Sequence, residues 1–221
     1  MGMRVAIFDF DGTLYAKETY QTLMDHLKEH PIYKARYKRF LSAILPPYIG
    51  SKLKIYPVKK MRERSMQVYL EALENFTVDE LETYFEEIAE KMKKDFNPLV
   101  VAKVKQHAAD GVHVMLVSGA YTPLLHIVTE GLPFDSIIGT DVPVHNHVLN
   151  TKLPVRHIQG PRKNEKIEAA LTNKDIDWAN SFAYGDSYSD LSVLDLVGNP
   201  VAVQPEQRLQ VVAEKRDWAI I

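Results

Sequence analysis

The chain begins with a short apolar run and then changes to a longer, helical period. Val5–Phe8 are four consecutive apolar residues, too few for a helix, so we predict a buried strand that ends in a polar turn. From about residue 19, apolar positions recur at intervals of three and four, which is typical of amphipathic helices. Four such helices follow in a row and predict a small bundle, and Pro46-Pro47 is predicted to end the second of them.

Helix-capping signals mark the end of this region. Thr77 and Glu80 have the spacing of a capping box at the start of the fourth helix. Asn97-Pro98 then predicts an N-cap followed by proline at the first helical position, and Gly111 is predicted to end that fifth helix.

After Gly111, short apolar runs alternate with helical segments. We predict strands near 112–117, 137–138, 181–184, 201–203 and 218–221, and helices that begin near 121, 164, 189 and 206. His145-Asn146-His147 is interpreted as a surface loop, because no third zinc ligand lies nearby. The alternation predicts an α/β fold: a Rossmann-like parallel sheet with helices on both faces, which the first strand must join. The predicted domains are a core of residues 1–14 and 98–221 and a helical cap domain of residues 15–97.

Composition narrows the chemistry. The 221 residues include 27 Lys or Arg, 29 Asp or Glu and no cysteine. The near balance of charge argues against a nucleic-acid partner, and the lack of cysteine leaves carboxylates, histidines and hydroxyls for any chemistry. No apolar run approaches the roughly 18 to 20 residues of a membrane span, and the start lacks a secretory signal. We therefore predict a cytoplasmic protein.

The predicted cap is electrically divided. Residues 28–64 hold eleven Lys or Arg against two glutamates, whereas residues 71–90 hold eight Asp or Glu and no Lys or Arg. One interpretation is that oppositely charged helices pair across the bundle. The other is that the basic half attracts phosphorylated substrates or an anionic surface.

Two carboxylates follow the first strand. Asp9 and Asp11 stand two residues apart and so point the same way, and Gly12 allows a tight turn beside them. In open parallel sheets, ligands bind outside the carboxyl ends of the strands. One carboxylate there can attack a substrate while the other handles a proton, provided that their environments separate the two pKa values.

Three further polar signals occur at equivalent places. Ser118-Gly119 follows a strand and offers a hydroxyl and amides to an oxyanion, and residues 160–166 enter a helix, where a lysine, Lys163 or Lys166, can bind a phosphoryl group. Asp186 follows another strand as a candidate Mg²⁺ ligand, with Asp190 either supporting the metal or capping the next helix. Clustered carboxylates repel one another unless a cation lies among them, so a Mg²⁺ site is predicted. Metal, lysine and hydroxyl together suit a phosphoryl group in transfer.

These motifs, in this order, resemble those of the haloacid dehalogenase superfamily of phosphohydrolases. They are Asp-x-Asp-Gly-Thr-Leu, a strand ending in Ser-Gly, a lysine opening a helix, and Gly-Asp-Ser-x-x-Asp, and they extend from Asp9 to Asp190. The helical insertion after the first motif resembles the cap of the phosphoserine phosphatase branch. The resemblance implies that Asp9 is the nucleophile, which forms an aspartyl phosphate, and that Asp11 is the general acid and later the base.

The resemblance also implies the ligands of metal and phosphate. Mg²⁺ is expected on the carboxylates of Asp9 and Asp186 and on the backbone carbonyl of Asp11, with Asp190 included in the predicted metal site. Ser118, Gly119 and Lys163 are expected to hold the phosphate. Lys166 is the alternative lysine.

The predicted cap contains candidate specificity residues. Glu18 lies nine residues after Asp9, where phosphoserine phosphatases carry a glutamate that meets the substrate amine; the alternative is a first-turn residue favoured by the helix dipole. Those enzymes also use a cap arginine for the substrate carboxylate, and Arg62 and Arg64 lie in that neighbourhood. Phosphoserine, phosphoethanolamine, phosphocholine and other small monoesters all stay open as substrates.

The expected function is a Mg²⁺-dependent hydrolase of a small phosphomonoester. The alternatives are a phosphotransferase, a non-catalytic binding protein on the same fold, and a receiver-type signalling module, although receivers are about half this length and lack an inserted cap. If the cap moves, residues 15–18 and 95–98 are its expected hinges.

Overall fold

A six-stranded parallel sheet is the centre of the molecule. The computed structural model describes residues 2–221, apart from the side chains of residues 58 and 59. The strands are β1 (Val5–Phe8), β2 (His113–Tyr121), β3 (Ser136–Thr140), β4 (Val144–His145), β5 (Val148–Leu149), β6 (Phe182–Gly185), β7 (Asn199–Ala202) and β8 (Ala219–Ile220). The sheet has the order β3-β2-β1-β6-β7-β8 with every pair parallel, and β4 and β5 form a separate antiparallel hairpin. The predicted α/β class is confirmed.

Helices cover both faces of the sheet. They are α5 (Pro98–Ala109), α6 (Thr122–Val128), α7 (Pro161–Ala170), α8 (Leu191–Leu194) and α9 (Gln207–Lys215). Phe8 belongs to a buried cluster with residues of α5 and α6, whereas its neighbour Ile7 belongs to a second cluster with residues of α7, α8 and α9. Successive strand residues point to opposite faces, so β1 contributes to both cores, as β2 also does.

Four further helices lie between β1 and α5, as predicted. They are α1 (Thr19–Glu29), α2 (Lys34–Lys52), α3 (Val58–Ala72) and α4 (Val78–Met92), and we call this region the helical insert. Thr77 and Glu80 form the predicted capping box at the start of α4, with both of its hydrogen bonds present. Side chains of the insert such as Phe40 and Phe85 are buried in the same cluster as Phe8.

The structure corrects two predicted boundaries. The helix α2 continues through Pro46 and Pro47, so the prediction that this pair ends the helix is wrong. Each proline removes one helical hydrogen bond to a carbonyl four residues earlier, but Ser42 is exposed, where water can satisfy its carbonyl. The strand β2 also continues beyond the predicted end at residue 117, and its register against β3 shifts between Val117 and Tyr121.

The segment predicted as a surface loop is the hairpin of β4 and β5. Asn146 and His147 have φ angles of 49° and 59°, the left-handed values that a two-residue turn of type I′ requires. The carbonyl of His147 accepts a hydrogen bond from Val78 N at 2.9 Å, which joins the hairpin to the first turn of α4. In the described part of the chain, no helix is both long and apolar enough to cross a membrane.

Candidate active site

The carboxyl ends of β1, β2 and β6 open into one cavity of about 530 Å³. Eight of the predicted site residues line it: Asp9, Asp11, Glu18, Arg62, Ser118, Gly119, Lys163 and Asp186. The parallel sheet explains this convergence, because residues far apart in sequence follow strands whose carboxyl ends lie side by side.

Lys163 is a buried cation between two carboxylates. Its Nζ lies 2.6 Å from Asp9 Oδ1 and 2.6 Å from Asp190 Oδ1. Burial lowers the pKa of Lys163, but the neighbouring Asp190 and Asp9 more than offset it, so the pKa rises and the lysine stays charged. Asp9 has the opposite balance: burial and the charge of Asp190 raise its pKa well above the ordinary value, against the lowering effect of Lys163.

Three carboxylates converge beside this lysine. Asp9, Asp186 and Asp190 each place an oxygen within 4.8 Å of the others. Burial, and next the charge of Asp190, raise the pKa of Asp186 to about 7. One ammonium group faces three carboxyl groups, and hard carboxylate oxygens are the donors that Mg²⁺ prefers. These residues therefore fit a divalent cation.

Gly12 permits the close approach of Asp186. Its φ is +72°, and a Cβ at this position would lie 2.2 Å from Asp186 Oδ2. Any other residue would displace that carboxylate, so the glycine after Asp11 is required by contact as well as by backbone conformation.

Asp11 is held by the first turn of α1. Its Oδ1 accepts hydrogen bonds from Thr19 N at 2.8 Å and from the Thr19 hydroxyl, whereas Oδ2 has no protein partner among the described residues. Burial raises the pKa of Asp11 to about 6, although the bonds from Thr19 lower it. A carboxyl group in this range can both give and accept a proton near neutral pH.

Ser118 lies within β2, at the register shift. It is buried, and its Oγ accepts a hydrogen bond from Ala120 N at 3.1 Å. Beside it, Thr140 Oγ1 donates to the carbonyl of Gly119 at 2.7 Å. A Cβ on Gly119 would lie 2.4 Å from the ring of His157, so this glycine allows the imidazole to lie against the backbone.

Several cavity residues were not predicted from the sequence. Thr19, His157, Gln159 and Glu206 line the cavity, yet each is a single polar residue without a motif around it. Burial, and next the charge of Arg62, lower the pKa of His157 to about 4, so this imidazole is neutral at physiological pH. Only the folded arrangement shows that these side chains meet.

For the arginine pair and the lysine pair that the sequence offered, one residue of each pair lies at the cavity and the other does not. Arg62 lines the cavity, whereas Arg64 lies outside the lining and its Nη1 is 2.9 Å from Glu71 Oε1. Lys166 is half-exposed and lies 3.6 Å from Asp141 Oδ2, away from the buried position of Lys163. Asp190 lies behind the cavity lining, where its Oδ2 accepts a hydrogen bond from Ser187 Oγ at 2.9 Å.

Polar contacts join α3 to the chain that precedes α7 and to the first turn of α7. Gln67 donates from Nε2 to the carbonyl of Thr151 and accepts from Val155 N, both at 2.8 Å. Arg162 Nη1 forms an ion pair with Glu63. The insert is thereby held over the cavity by side chains on both sides of the boundary.

Several known proteins are similar in sequence to much of this chain. A Streptomyces azureus inhibition of morphological differentiation protein is 24% identical over 98% of this chain and 77% of its own. Phosphoserine phosphatase SerB1 of Mycobacterium tuberculosis is 27% identical over 63% of this chain, which spans only 44% of that protein. A histidinol-phosphatase of Neisseria meningitidis is 23% identical over 71% of this chain and 72% of its own.

Solved structures share the fold. A Bordetella pertussis Tohama I protein of unknown function matches 100% of this chain and 99% of its own, with a TM-score of 0.82 and 20% identity. A substrate-bound phosphoserine phosphatase matches 100% of this chain and 93% of its own, with a TM-score of 0.65 and 18% identity. The family model for haloacid dehalogenase-like hydrolase matches residues 6–195. The family predicted from the motifs is confirmed, and this chain belongs to the haloacid dehalogenase-like hydrolases.

Proposed function

We propose that this hydrolase is a Mg²⁺-dependent phosphatase that acts on a small phosphomonoester through an aspartyl phosphate on Asp9. The observation that carries the proposal is the meeting of Lys163, three carboxylates and the Asp11 carboxyl in one cavity. This arrangement suits phosphoryl transfer, because a transferring phosphoryl group needs both a nucleophile and positive charge.

The nucleophile is Asp9. Lys163 holds its Oδ1, whereas Oδ2 has no protein partner among the described residues and is the oxygen proposed to attack phosphorus. The bond from phosphorus to the substrate oxygen breaks as the bond to Asp9 forms. Lys163 keeps the attacking carboxylate in place and offsets the charge that the phosphate brings.

Asp11 is proposed to move the protons. With Oδ1 occupied by Thr19, the free Oδ2 gives a proton to the departing oxygen of the substrate. It then takes a proton from the water that attacks the aspartyl phosphate and releases inorganic phosphate. A pKa of about 6 suits both steps, because neither protonation state is costly to reach.

Mg²⁺ would be held by Asp9, Asp186 and the backbone carbonyl of Asp11, with Asp190 fixing Lys163 behind them. When bound, it would neutralise the carboxylates and the phosphate oxygens. Ser118 and the amide of Gly119 are proposed to bind the phosphate from the β2 side.

The proposed substrate is a small phosphorylated amino acid or amino alcohol. Glu18 and Arg62 line the same cavity and offer opposite charges to an amine and a carboxylate. Both phosphoserine and histidinol phosphate, the substrates in the names of relatives at 23 to 27% identity, carry an amine. A panel of phosphoserine, phosphoethanolamine, histidinol phosphate and sugar phosphates tests this class. A preference for sugar phosphates would contradict it.

Residues 15–97 are proposed to act as a cap that closes on the substrate. The expected hinges lie side by side: Ala16 N donates to the carbonyl of Asp95 at 3.0 Å, and Asn97 N donates to that of Leu14 at 2.8 Å. Closure would exclude water while Asp9 is phosphorylated. Crystals with and without vanadate would test it, and identical cap positions would count against the movement.

The decisive experiment replaces the nucleophile. Asp9→Asn should lower turnover of p-nitrophenyl phosphate by about a thousandfold or more, because an amide does not attack phosphorus. Asp25→Asn is the matched control, since Asp25 is exposed on α1 and its carboxylate accepts hydrogen bonds from Gln21 Nε2, away from the cavity lining. Rapid quenching with labelled substrate should trap phosphate on the wild-type protein. Retained turnover in Asp9→Asn would overturn the proposal.

A further inference from the structure

The helix α2 has two apolar sides, and only one of them is covered. Phe40 and Ile44 are buried in the core of the insert. Leu41, Leu45 and Tyr48 recur at intervals of four and three, so they share a second side of the helix, and they are exposed. A globular protein needs only the first side, and an exposed apolar stripe on one helix is a feature of interaction surfaces.

The apolar surface continues past the end of the helix. We call it the outer face of α2, and it consists of Leu41, Leu45, Tyr48, Ile49, Leu53 and Ile55. Their exposed fractions range from 41% at Leu41 to 77% at Ile55. Leu53 and Ile55 stand on either side of Lys54, in the turn that joins α2 to α3.

The same region carries only positive charge. Residues 31–62 contain nine Lys or Arg and neither Asp nor Glu. Lys34, Lys38 and Lys52 continue the spacing of the exposed stripe at both of its ends, so the apolar centre is flanked by ammonium groups. Helices that lie in a membrane interface likewise combine apolar side chains, which enter the boundary below the headgroups, with Lys or Arg that meet anionic lipids.

Within residues 31–62, two arginines form hydrogen bonds or ion pairs with the rest of the insert, whereas the lysines named below form no ion pair among the described residues. Arg36 donates to the carbonyls of Ala72 and Glu74 at 3.0 Å, and Arg39 pairs with the Glu74 carboxylate at 3.2 Å. Within the described residues, no ion pair involves any of five lysines of this region, which are Lys34, Lys38, Lys52, Lys54 and Lys60. The charge division of the insert is therefore only partly an internal pairing.

We propose that the outer face of α2 docks on the surface of an anionic phospholipid membrane. The apolar side chains enter the boundary between headgroups and acyl chains, and the lysines contact the phosphates. Charge favours this occupant over a second copy of the chain, because two-fold pairing through this face would oppose two surfaces of the same sign. Docking of this kind requires no membrane-spanning helix. It would hold the enzyme at a membrane surface and leave the active-site cavity unchanged.

Vesicle binding tests the proposal without any substrate. The full chain is sedimented with vesicles of phosphatidylcholine alone and with vesicles containing phosphatidylglycerol. Binding to the anionic vesicles is expected to be at least about tenfold stronger and to fall at high salt, which screens the lysines. Equal binding to both compositions, or none to either, would overturn it.

Paired variants locate the surface. Leu45→Glu with Ile49→Glu, and separately Lys34→Glu with Lys38→Glu, should each lower binding to anionic vesicles about tenfold or more. The control is Leu99→Glu with Val211→Glu, on α5 and α9, where the side chains are 61% and 60% exposed. Unfolding midpoints and turnover of p-nitrophenyl phosphate should match the wild type in all three. An equal loss of binding in the control would contradict the assignment of the surface.

The alternative occupant has its own signature. If light scattering shows a dimer that Leu45→Glu with Ile49→Glu dissociates, the face binds a second copy and the membrane proposal is wrong. Because vesicle binding is measured apart from catalysis, the membrane-docking proposal and the phosphatase proposal can fail or succeed independently.

Discussion

Charged side chains are buried at the carboxyl ends of β1, β2 and β6, which we call the sheet edge, whereas they are exposed in the helical insert. At the sheet edge, Lys163, Asp9 and Asp190 form ion pairs of 2.6 Å in which no side chain is more than 11% exposed. In the insert, Arg39 and Glu74 pair at 3.2 Å with side chains 71% and 43% exposed. Burying charge is costly, whereas an exposed pair contributes about 0 to 1 kcal/mol.

The difference indicates which region carries chemistry and which carries recognition. Burial moves pKa values there: it is the largest cause of the raised pKa of Asp11 and of Asp186, and at Asp186 the charge of Asp190 adds to it. Exposed charges present an electrostatic field to ligands and surfaces. Changes at the sheet edge should therefore alter turnover, and changes in the insert should alter binding.

The largest expected effect separates the two candidate lysines. Lys163→Met should reduce turnover about a thousandfold and destabilise the fold by about 3 kcal/mol, because it leaves Asp9 and Asp190 buried without their cation. Lys166→Met should change both by little, since Lys166 is half-exposed beside Asp141. Steady-state kinetics and urea unfolding measure the two quantities. Similar losses in both variants would break the distinction between buried and exposed charge.

The next largest effect is at Asp11, where one substitution should lower turnover and raise stability. Asp11→Asn should lower kcat by a factor of about 10² to 10⁴, because it removes the proposed acid and base. The same change should stabilise the metal-free protein at pH 7 by about 3 kcal/mol, because the buried carboxylate is ionised there and its pKa is raised to about 6.

The pH dependence gives the sign of that second effect. Below about pH 4 the carboxyl is protonated in both the folded and the unfolded wild type, so the advantage of Asp11→Asn should vanish. It should grow as pH rises from 4 to about 6 and then stay constant. Unfolding in EDTA across this range measures it, and an advantage that grows towards low pH would refute the assigned shift.

A smaller effect distinguishes two arginines of the insert. Arg62→Ala should raise KM for phosphoserine about tenfold, a loss of about 1.4 kcal/mol, and leave KM for phosphoethanolamine nearly unchanged because that compound lacks the carboxylate. Arg64→Ala should affect neither KM, because Arg64 pairs with Glu71 outside the cavity. Equal effects of Arg62→Ala on both substrates would show that the arginine does not read the carboxylate.

The smallest expected effect concerns an ion pair between the helical insert and α7. Glu63 and Arg162 pair across it with side chains 28% and 37% exposed. A double-mutant cycle of Glu63→Gln and Arg162→Met should give a coupling of about 0.5 kcal/mol in stability. A coupling above about 2 kcal/mol would indicate that the pair behaves like the buried charges of the sheet edge.

The sequence by itself determined the elements and most of the candidate site. Four consecutive apolar residues identified β1, the capping box at Thr77 identified the start of α4, and the carboxyl ends of predicted strands identified Asp9, Asp11 and Asp186. Each of these predictions depends on local spacing and on the rule that parallel strands end together. The preference for Lys163 over Lys166 came from a resemblance in sequence, and it stays a prediction; in the structure Lys163 lines the cavity and Lys166 is half-exposed beside Asp141.

Tertiary structure decided what depends on contacts between distant segments. The helix α2 passes through Pro46 and Pro47 because it packs on the bundle through Phe40 and Ile44, which local propensity does not register. His157 reaches the backbone of Gly119, and Thr19 holds Asp11, without any pattern in the sequence around them. Whether an apolar stripe is covered or exposed depends on which helices lie against it, so only the folded chain separates the buried side of α2 from its outer face.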